Sequence, residues 1–238
     1  MKLSIVVPVF NEEKTIKEIL ERLAALDLGG VKKEVIIVND ASTDKTEKEI
    51  KKVLPKHPDF IYRKHEQNKG KGAAVKTGIN SAQGDYIIIQ DADLEYDPLD
   101  ITRLLQPVLD KKAEVVFGTR LKRLPNFSRD ERTLRFLIQY VGNKGLSLLT
   151  SILYGQWITD METCYKLFPK KSLKGKTIHA KGFEFEPEIT ALLCKSGYKI
   201  LEIPISTNPR GFDEGKKLRP VHDGIRAFSA LLKFRFFR

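Results

Sequence analysis

Two carboxylates one residue apart, Asp91 and Asp93 of Asp91-Ala92-Asp93, follow the apolar run Tyr86-Ile87-Ile88-Ile89 and Gln90. Carboxylates so spaced after a strand reach one divalent cation together. Hard cations such as Mg²⁺ or Mn²⁺ take oxygen ligands and keep coordination places free for phosphate oxygens. A cation held there offsets the charge that grows on a nucleoside diphosphate as it leaves. Glu95, two residues on, adds a third oxygen ligand directly or through water, or else is a solvated surface carboxylate. An Asp-x-Asp pattern is common by chance in chains of this length, so its weight rests on its neighbours.

Those neighbours are chemically loaded. Asp40 follows the run Glu34-Val35-Ile36-Ile37-Val38, where its carboxylate can accept from a base N–H or cap the next helix. Pro8, Phe10 and Glu12 close the first apolar run, and Pro8 and Phe10 would wall a nucleobase, unless Phe10 is core packing. Asn68-Lys69-Gly70-Lys71-Gly72-Ala73-Ala74 does not match the Gly-x-x-x-x-Gly-Lys-Ser/Thr phosphate loop. It does offer a helix N-terminus with glycines and Lys71, a fair anion site. Arg120 ends another strand and heads a basic stretch with Lys122, Arg123, Arg129, Arg132 and Arg135. Arginine pairs with phosphate oxygens in bidentate fashion, and a solvated basic loop is the competing reading. Asp160 follows a long helix and faces an acceptor on this reading; Glu184 and Glu186 either face the same cleft or belong to an acid-rich helix N-terminus.

The elements that position these residues read as an alternation. Near-continuous Val/Ile runs at 4–9, 34–38, 86–89 and 115–117 predict strands covered on both faces. Helical spacing predicts helices around Ile16–Leu23, from Ser42 or Thr43 to about Leu54, over Gly72–Ala82, Leu99–Leu109 and Thr133–Tyr154. Tyr198–Thr207 reads as a further strand, and Val221, Ile225, Phe228, Leu232 and Phe236 recur at helical spacing. A β-α-β rhythm implies a mostly parallel sheet flanked by helices, with ligands bound beyond the carboxyl ends of the strands. The expected division is a catalytic domain over 1–220 and an amphipathic helix over 221–238.

The chain has 238 residues, 41% of them apolar and 31% charged, with 42 Lys/Arg against 31 Asp/Glu. A net charge of +11 attracts anions of several kinds. Nucleic acid as partner is disfavoured, because acids at several strand ends repel phosphate unless a metal intervenes. Cys164 and Cys194 form no Cys-x-x-Cys pair and read as reduced structural thiols. The N-terminal apolar run is short for a signal peptide, and no stretch reaches about 18 apolar residues, so neither export nor a transmembrane helix is expected. A sugar-1-phosphate nucleotidyltransferase would carry a Gly-rich basic loop where this chain has Phe10-Asn11-Glu12-Glu13.

Taken in order, Ser4-Ile5-Val6-Val7-Pro8-Val9-Phe10-Asn11-Glu12-Glu13, Val38-Asn39-Asp40-Ala41-Ser42-Thr43-Asp44, Gly70-Lys71-Gly72-Ala73-Ala74 and Gln90-Asp91-Ala92-Asp93-Leu94-Glu95 resemble the family 2 glycosyltransferases. The subgroup they are most similar to is that of dolichyl-phosphate mannose synthases and polyprenyl-phosphate glucose synthases. Gly118-Thr119-Arg120, Asp160-Met161-Glu162-Thr163, Glu184-Phe185-Glu186 and Asn208-Pro209-Arg210 with Lys216-Lys217 extend the likeness over nearly the whole chain. The resemblance implies a GT-A fold, a nucleotide-diphospho-sugar donor (GDP-mannose or a UDP-hexose), Mg²⁺ or Mn²⁺, and inversion at the anomeric carbon. By the same resemblance Asp40 reads the base, and Asp91, Ala92 and Asp93 hold the metal and diphosphate. Arg120 binds phosphate, Asp160 stands at a candidate catalytic carboxylate position, and Arg210 and Lys216 close over the diphosphate. The chain departs from the family at Asn39, where an acid is usual.

The acceptor decides whether a base is needed. A sugar hydroxyl wants a carboxylate to take its proton, whereas a lipid phosphate is already ionised and needs cations such as Arg129 and Arg132 to place it. The cation-rich sequence favours a polyprenyl phosphate, with Asp160 orienting groups; a saccharide or protein acceptor is the alternative. From Ser206 to Arg238, eight Lys/Arg against three Asp/Glu give +5. That basic helix, with Phe228, Phe234, Phe236 and Phe237, suits either a membrane interface or docking on the core. The expected location is therefore cytoplasmic, peripheral on the membrane face.

Overall fold

The computed structural model describes residues 1–120, 134–208 and 220–237, with the side chains of 134–136 and 220–223 also outside the description. Seven strands form one sheet: β1 (Lys2–Val9), β2 (Lys32–Asn39), β3 (Phe60–Lys64), β4 (Tyr86–Ile89), β5 (Val115–Thr119), β6 (Lys166–Pro169) and β7 (Ile200–Pro204). Their order is β3-β2-β1-β4-β6-β5-β7. All neighbours run parallel except β6, which is antiparallel to both β4 and β5. Apart from the half-buried Tyr86, the four Val/Ile runs are buried throughout, because helices cover both faces of the sheet and leave no solvated side for polar alternation.

The helices are α1 (Ile16–Ala25), α2 (Thr46–Val53), α3 (Lys71–Ser81), α4 (Asp100–Leu109), α5 (Leu134–Tyr154), α6 (Phe185–Lys195) and α7 (Pro220–Phe236). In α1, Ile16, Ile19, Leu20 and Leu23 are the buried face, the spacing that aligns side chains along one stripe of a helix. Helix α2 starts at Thr46 rather than at Ser42 or Thr43. Asp44 Oδ1 accepts the Thr46 amide at 2.9 Å and Glu13 Oε2 accepts that of Lys45 at 2.9 Å, so acids beyond the expected cap satisfy the first turn.

Strands β3 and β6 were not foreseen, and helix α6 only as the alternative reading of Glu184 and Glu186, which stand at its N-terminus. Strand β6 is four residues long and opens on Lys166, which is fully buried. Because it runs against its neighbours, its first residues stand at the edge where the parallel strands end. The segment 160–165 is thereby delivered to the same edge as Asp40 and Asp91.

Helix α7 docks on α5 and α6 through Ala227, Ala230, Leu231 and Phe234. Lys195 Nζ donates to the Phe234 carbonyl at 3.0 Å and Arg235 Nε to that of Leu153 at 2.8 Å. Of the positions read from spacing, Ile225, Phe228 and Phe236 face outward, 62%, 47% and 64% exposed. The four phenylalanines divide between the two alternatives: Phe234 is buried against the core, while Phe228, Phe236 and Phe237 are exposed. Among the described residues, no helix is long and apolar enough to cross a membrane.

Candidate active site

A cleft of about 380 Å³ opens at the carboxyl edge, lined by residues of β1, α3 and α5, by the loops after β1, β2, β4 and β5, and by the 160–186 region. Pro8, Phe10, Glu12, Asp40, Lys71, Asp91, Ala92, Asp93, Glu95 and Arg120 all line it. Asp160 does not. Arg129, Arg132, Arg210 and Lys216 lie outside the described residues.

The first end is built from the loops after β1 and β2. The Asp40 amide donates to the Val9 carbonyl at 2.8 Å, tying the two strand ends together. The Asp40 carboxylate accepts the amides of Lys69 at 2.9 Å and Gly70 at 2.7 Å, and His65 Nδ1 at 2.6 Å. Two carboxylate oxygens offer about four lone-pair sites, so one remains beyond these three contacts. Asn39, where an acid is usual, donates through Nδ2 to Tyr62 Oη at 3.1 Å and accepts the Ser42 amide at 2.9 Å. An ionised acid would have no proton for the tyrosine oxygen.

In the middle of the cleft, Gly70 and Gly72 let the N-terminus of α3 lie on the backbone of 180–182. A Cβ on Gly72 would stand 2.8 Å from the carbonyl oxygens of Ala180 and Gly182, and Gly70 has φ +92°, open to glycine at little cost. Lys71 is thus aimed at Asp91, with Nζ 2.8 Å from Oδ1, 3.7 Å from Glu186 Oε1 and 3.5 Å from Cys164 Sγ. Burial works against the Lys71 ammonium, but Asp91, Cys164 and Glu186 outweigh it and hold its pKa well above the ordinary lysine value. Burial likewise opposes the Asp91 carboxylate, and Lys71 overrides it to keep that pKa below the ordinary range. The Asp93 carboxylate accepts the Glu95 amide at 3.1 Å.

This donor set fits a hard divalent cation. Asp91 and Asp93 supply oxygens only, as Mg²⁺ and Mn²⁺ prefer. Among the described residues no group of three or more His, Cys, Asp or Glu side chains is placed to hold a metal. An ion here would complete its shell with diphosphate oxygens and water, as Mg²⁺ habitually does.

At the far end, Arg120 forms a bidentate pair with Asp160: Nε to Oδ2 at 2.8 Å and Nη2 to Oδ1 at 2.8 Å, with the Arg120 amide also donating to Oδ2 at 2.9 Å. The Asp160 amide donates to Glu202 Oε1 at 3.1 Å. Asp160 is fully buried. Burial pushes its pKa up, but Arg120 prevails and keeps it below the ordinary carboxylate value. It therefore stands behind Arg120 as an ionised anchor. Glu186 lines the cleft, whereas Glu184 Oε1 turns to the amides of Lys181 and Gly182, both at 3.1 Å.

Among the lining residues that escaped the sequence reading as individual members of the site are Glu162, Cys164, Gln139 and Asn143. Gln139 and Asn143 sit four apart on α5, a polar pair on one face of a largely apolar helix, which is the signal that could have found them. Burial pushes the Glu162 carboxyl up to about 7, despite Lys166 nearby.

The chain matches the profile of "Glycosyl transferase family 2" over residues 4–175. It is 32% identical to the UDP-N-acetylglucosamine–dolichyl-phosphate N-acetylglucosaminyltransferase of Methanococcus voltae over 220 residues, 85% of this chain and 84% of the relative. It is 26% identical to the dolichol-phosphate mannosyltransferase of Pyrococcus furiosus, over 98% of this chain and 64% of that one. Among solved structures, glucosyl-3-phosphoglycerate synthase of Mycobacterium tuberculosis, in complex with Mn²⁺, UDP and glucosyl-3-phosphoglycerate, superposes with a TM-score of 0.73. It is 20% identical, covering 98% of this chain and 80% of that one, a likeness of fold.

Proposed function

This chain belongs to glycosyl transferase family 2, and from that premise we propose that it moves a hexose from GDP-mannose or a UDP-hexose to a polyprenyl phosphate with inversion. The observation that carries the acceptor is helix α5. Its Gln139 and Asn143 line the cleft, while Ile138 and Val141 beside them are 45% and 67% exposed. One helix thus joins the reaction cleft to an apolar face, continued by Leu148, Ile152 and Trp157 and by the outward residues of α7. That combination suits an acceptor whose phosphate reacts while its tail stays in a lipid surface. The dolichyl-phosphate transferases among the relatives support the same reading.

In this reading Pro8 and Phe10 flank the base and the free lone pair of Asp40 accepts from it. Asp91 and Asp93 would hold Mg²⁺ or Mn²⁺, which when bound offsets the charge on the departing diphosphate. Lys71 and Arg120 add fixed positive charge along the cleft, and Asp160 keeps the Arg120 guanidinium in place. The phosphate acceptor attacks already ionised, so no residue removes a proton. Arg129 and Arg132 are proposed to receive that phosphate, and Arg210 and Lys216 to cover the diphosphate. Residues 1–220 form the catalytic unit and α7 rests on the cytoplasmic face of the membrane.

The test is a donor screen with Mn²⁺ and a short prenyl phosphate, following nucleoside diphosphate release. Release that depends on the prenyl phosphate is expected; release stimulated only by saccharide hydroxyls would overturn the acceptor assignment. The pKa of Glu162 favours that second reading, since a carboxyl near 7 is suited to general base work on a hydroxyl. For the membrane, flotation with anionic liposomes should lose the protein when the chain is truncated before Val221.

A further inference from the structure

The far end of the cleft holds an arrangement that the phosphate chemistry leaves unused. Glu162 Oε1, Glu186 Oε1 and Gln139 Oε1 are buried and, among the described residues, have no hydrogen-bond partner. All three side chains line the cleft beside Arg120 and Cys164. Glu186 is 3% exposed; its other oxygen accepts Lys166 Nζ at 2.6 Å, and Lys71 stands beyond hydrogen-bond reach of Oε1 at 3.7 Å. A buried acceptor left unpaired forfeits its hydration without compensation. Three in one wall therefore point to a ligand that brings donors.

The ligand's two ends differ in what they bring. A phosphate acceptor and a diphosphate present oxygens that accept and would be repelled by Glu162 and Glu186. A hexose ring presents several O–H donors, and an N-acetyl group adds an N–H. We propose that Glu162, assisted by Glu186 and Gln139, is the subsite that takes the hydroxyl groups of the donor hexose and so sets which sugar is accepted. The assignment rests on the nucleotide-sugar reading above. It gives the sequence Asp160-Met161-Glu162 two separate duties: Asp160 holds Arg120 for the phosphates, and Glu162 meets the sugar. The carboxyl of Glu162, pushed up toward 7 by burial, can also donate when protonated, which suits hydroxyls that both give and accept.

Calorimetric titration separates this subsite from the rest of the cleft. UDP-glucose, UDP-N-acetylglucosamine, GDP-mannose, UDP and GDP are each titrated with Mn²⁺ into wild type, Glu162→Gln, Glu162→Ala and Gln139→Leu. For whichever sugar nucleotide the wild type prefers, Glu162→Ala should weaken binding at least tenfold, and Glu162→Gln less. The matching nucleoside diphosphate should stay within twofold, which also shows that the variants are folded. The preference among the three sugars should narrow. Equal weakening of sugar nucleotide and diphosphate, or no weakening of either, overturns the sugar subsite. Unchanged donor binding with a collapsed turnover overturns it in favour of Glu162 as a base. If the wild type binds none of the five nucleotides, the nucleotide-sugar reading fails first, and the subsite with it.

Discussion

Replacing Asp160 by asparagine distinguishes an anchor from a base. The Asp160 side chain is completely buried and that of Arg120 is 21% exposed. Three bonds run from Arg120 to this one carboxylate. The Asp160→Asn change keeps the shape but turns an amide donor toward the guanidinium and leaves a buried charge without its counter-ion. Breaking such a pair from one side costs roughly 3–5 kcal/mol; the partial access of Arg120 to cleft water puts the expected loss near the lower end, about 3 kcal/mol. For a chain of this size that is a fall in Tm of roughly 6–12 °C. Urea and thermal denaturation of Asp160→Asn, Arg120→Met and the double variant measure it. The double variant should recover part of the loss, with a coupling of about 2 kcal/mol, because no uncompensated charge remains. Turnover should fall in both single variants, as Arg120 is displaced or absent. If Asp160→Asn stays within about 0.5 kcal/mol of wild type while losing turnover, the anchor reading is wrong and Asp160 acts chemically.

Asp91→Ala and Asp93→Ala should each lower turnover roughly a hundredfold or more, through lost charge stabilisation at the diphosphate. Lys71→Met should bind Mn²⁺ more tightly without nucleotide, since the ammonium 2.8 Å from Asp91 competes for the same oxygen; paramagnetic resonance of free Mn²⁺ reads this directly. For Glu162 the pKa in the folded protein is raised from 4.5 to about 7. The fold therefore disfavours its charged form, and wild type loses stability from this group as pH rises through that window. Glu162→Gln should thus match wild type near pH 4.5 and exceed it at pH 8, by at most about 3 kcal/mol; an advantage independent of pH would contradict the assignment. Gly72→Ala should cost about 1–3 kcal/mol by overpacking, because its Cβ meets two backbone carbonyls at 2.8 Å, and should loosen nucleotide binding by moving Lys71.

Sequence reasoning reached the parallel half of the molecule because its strands carry the signal themselves. Val35–Val38 and Ile87–Ile89 are buried on both faces, so their side chains are apolar without interruption. It also reached many of the residues that line the cleft, which sit in loops directly after those strands. It did not reach β6, where a buried lysine opens a four-residue strand. Lys166 is there because Glu186 and the carbonyls of Met161 and Thr163 surround its ammonium, a tertiary circumstance with no local trace. The same is true of Glu162, which looks like a turn acid until β6 carries it to the cleft. On α7 the period was legible but its phase was not: alanines at 227 and 230 let the helix approach α5 and α6 closely, and the larger Ile225, Phe228 and Phe236 were turned outward. Asp40 was found, but the amides and the histidine that occupy most of its carboxylate come from 65–70, which local pattern cannot show.

The place of β6 in the sheet also orders events during synthesis. Strands β1 to β4 are contiguous neighbours within the first 89 residues, whereas β5 has no seat beside β4 until β6 comes between them. The pairing of Ile87 with Phe168 joins positions far apart in the chain, and such closures are slow. At ordinary translation rates the ribosome needs roughly 4–16 s to make the intervening segment. Through that interval the edge of β4 stands unpaired, an apolar strand with free amides and carbonyls of the sort that recruits other chains. The β1–β4 half can assemble early; the half that contains β5, β6 and β7 is completed last, and substitutions that slow β6 should lower soluble yield more than they lower the stability of the finished protein.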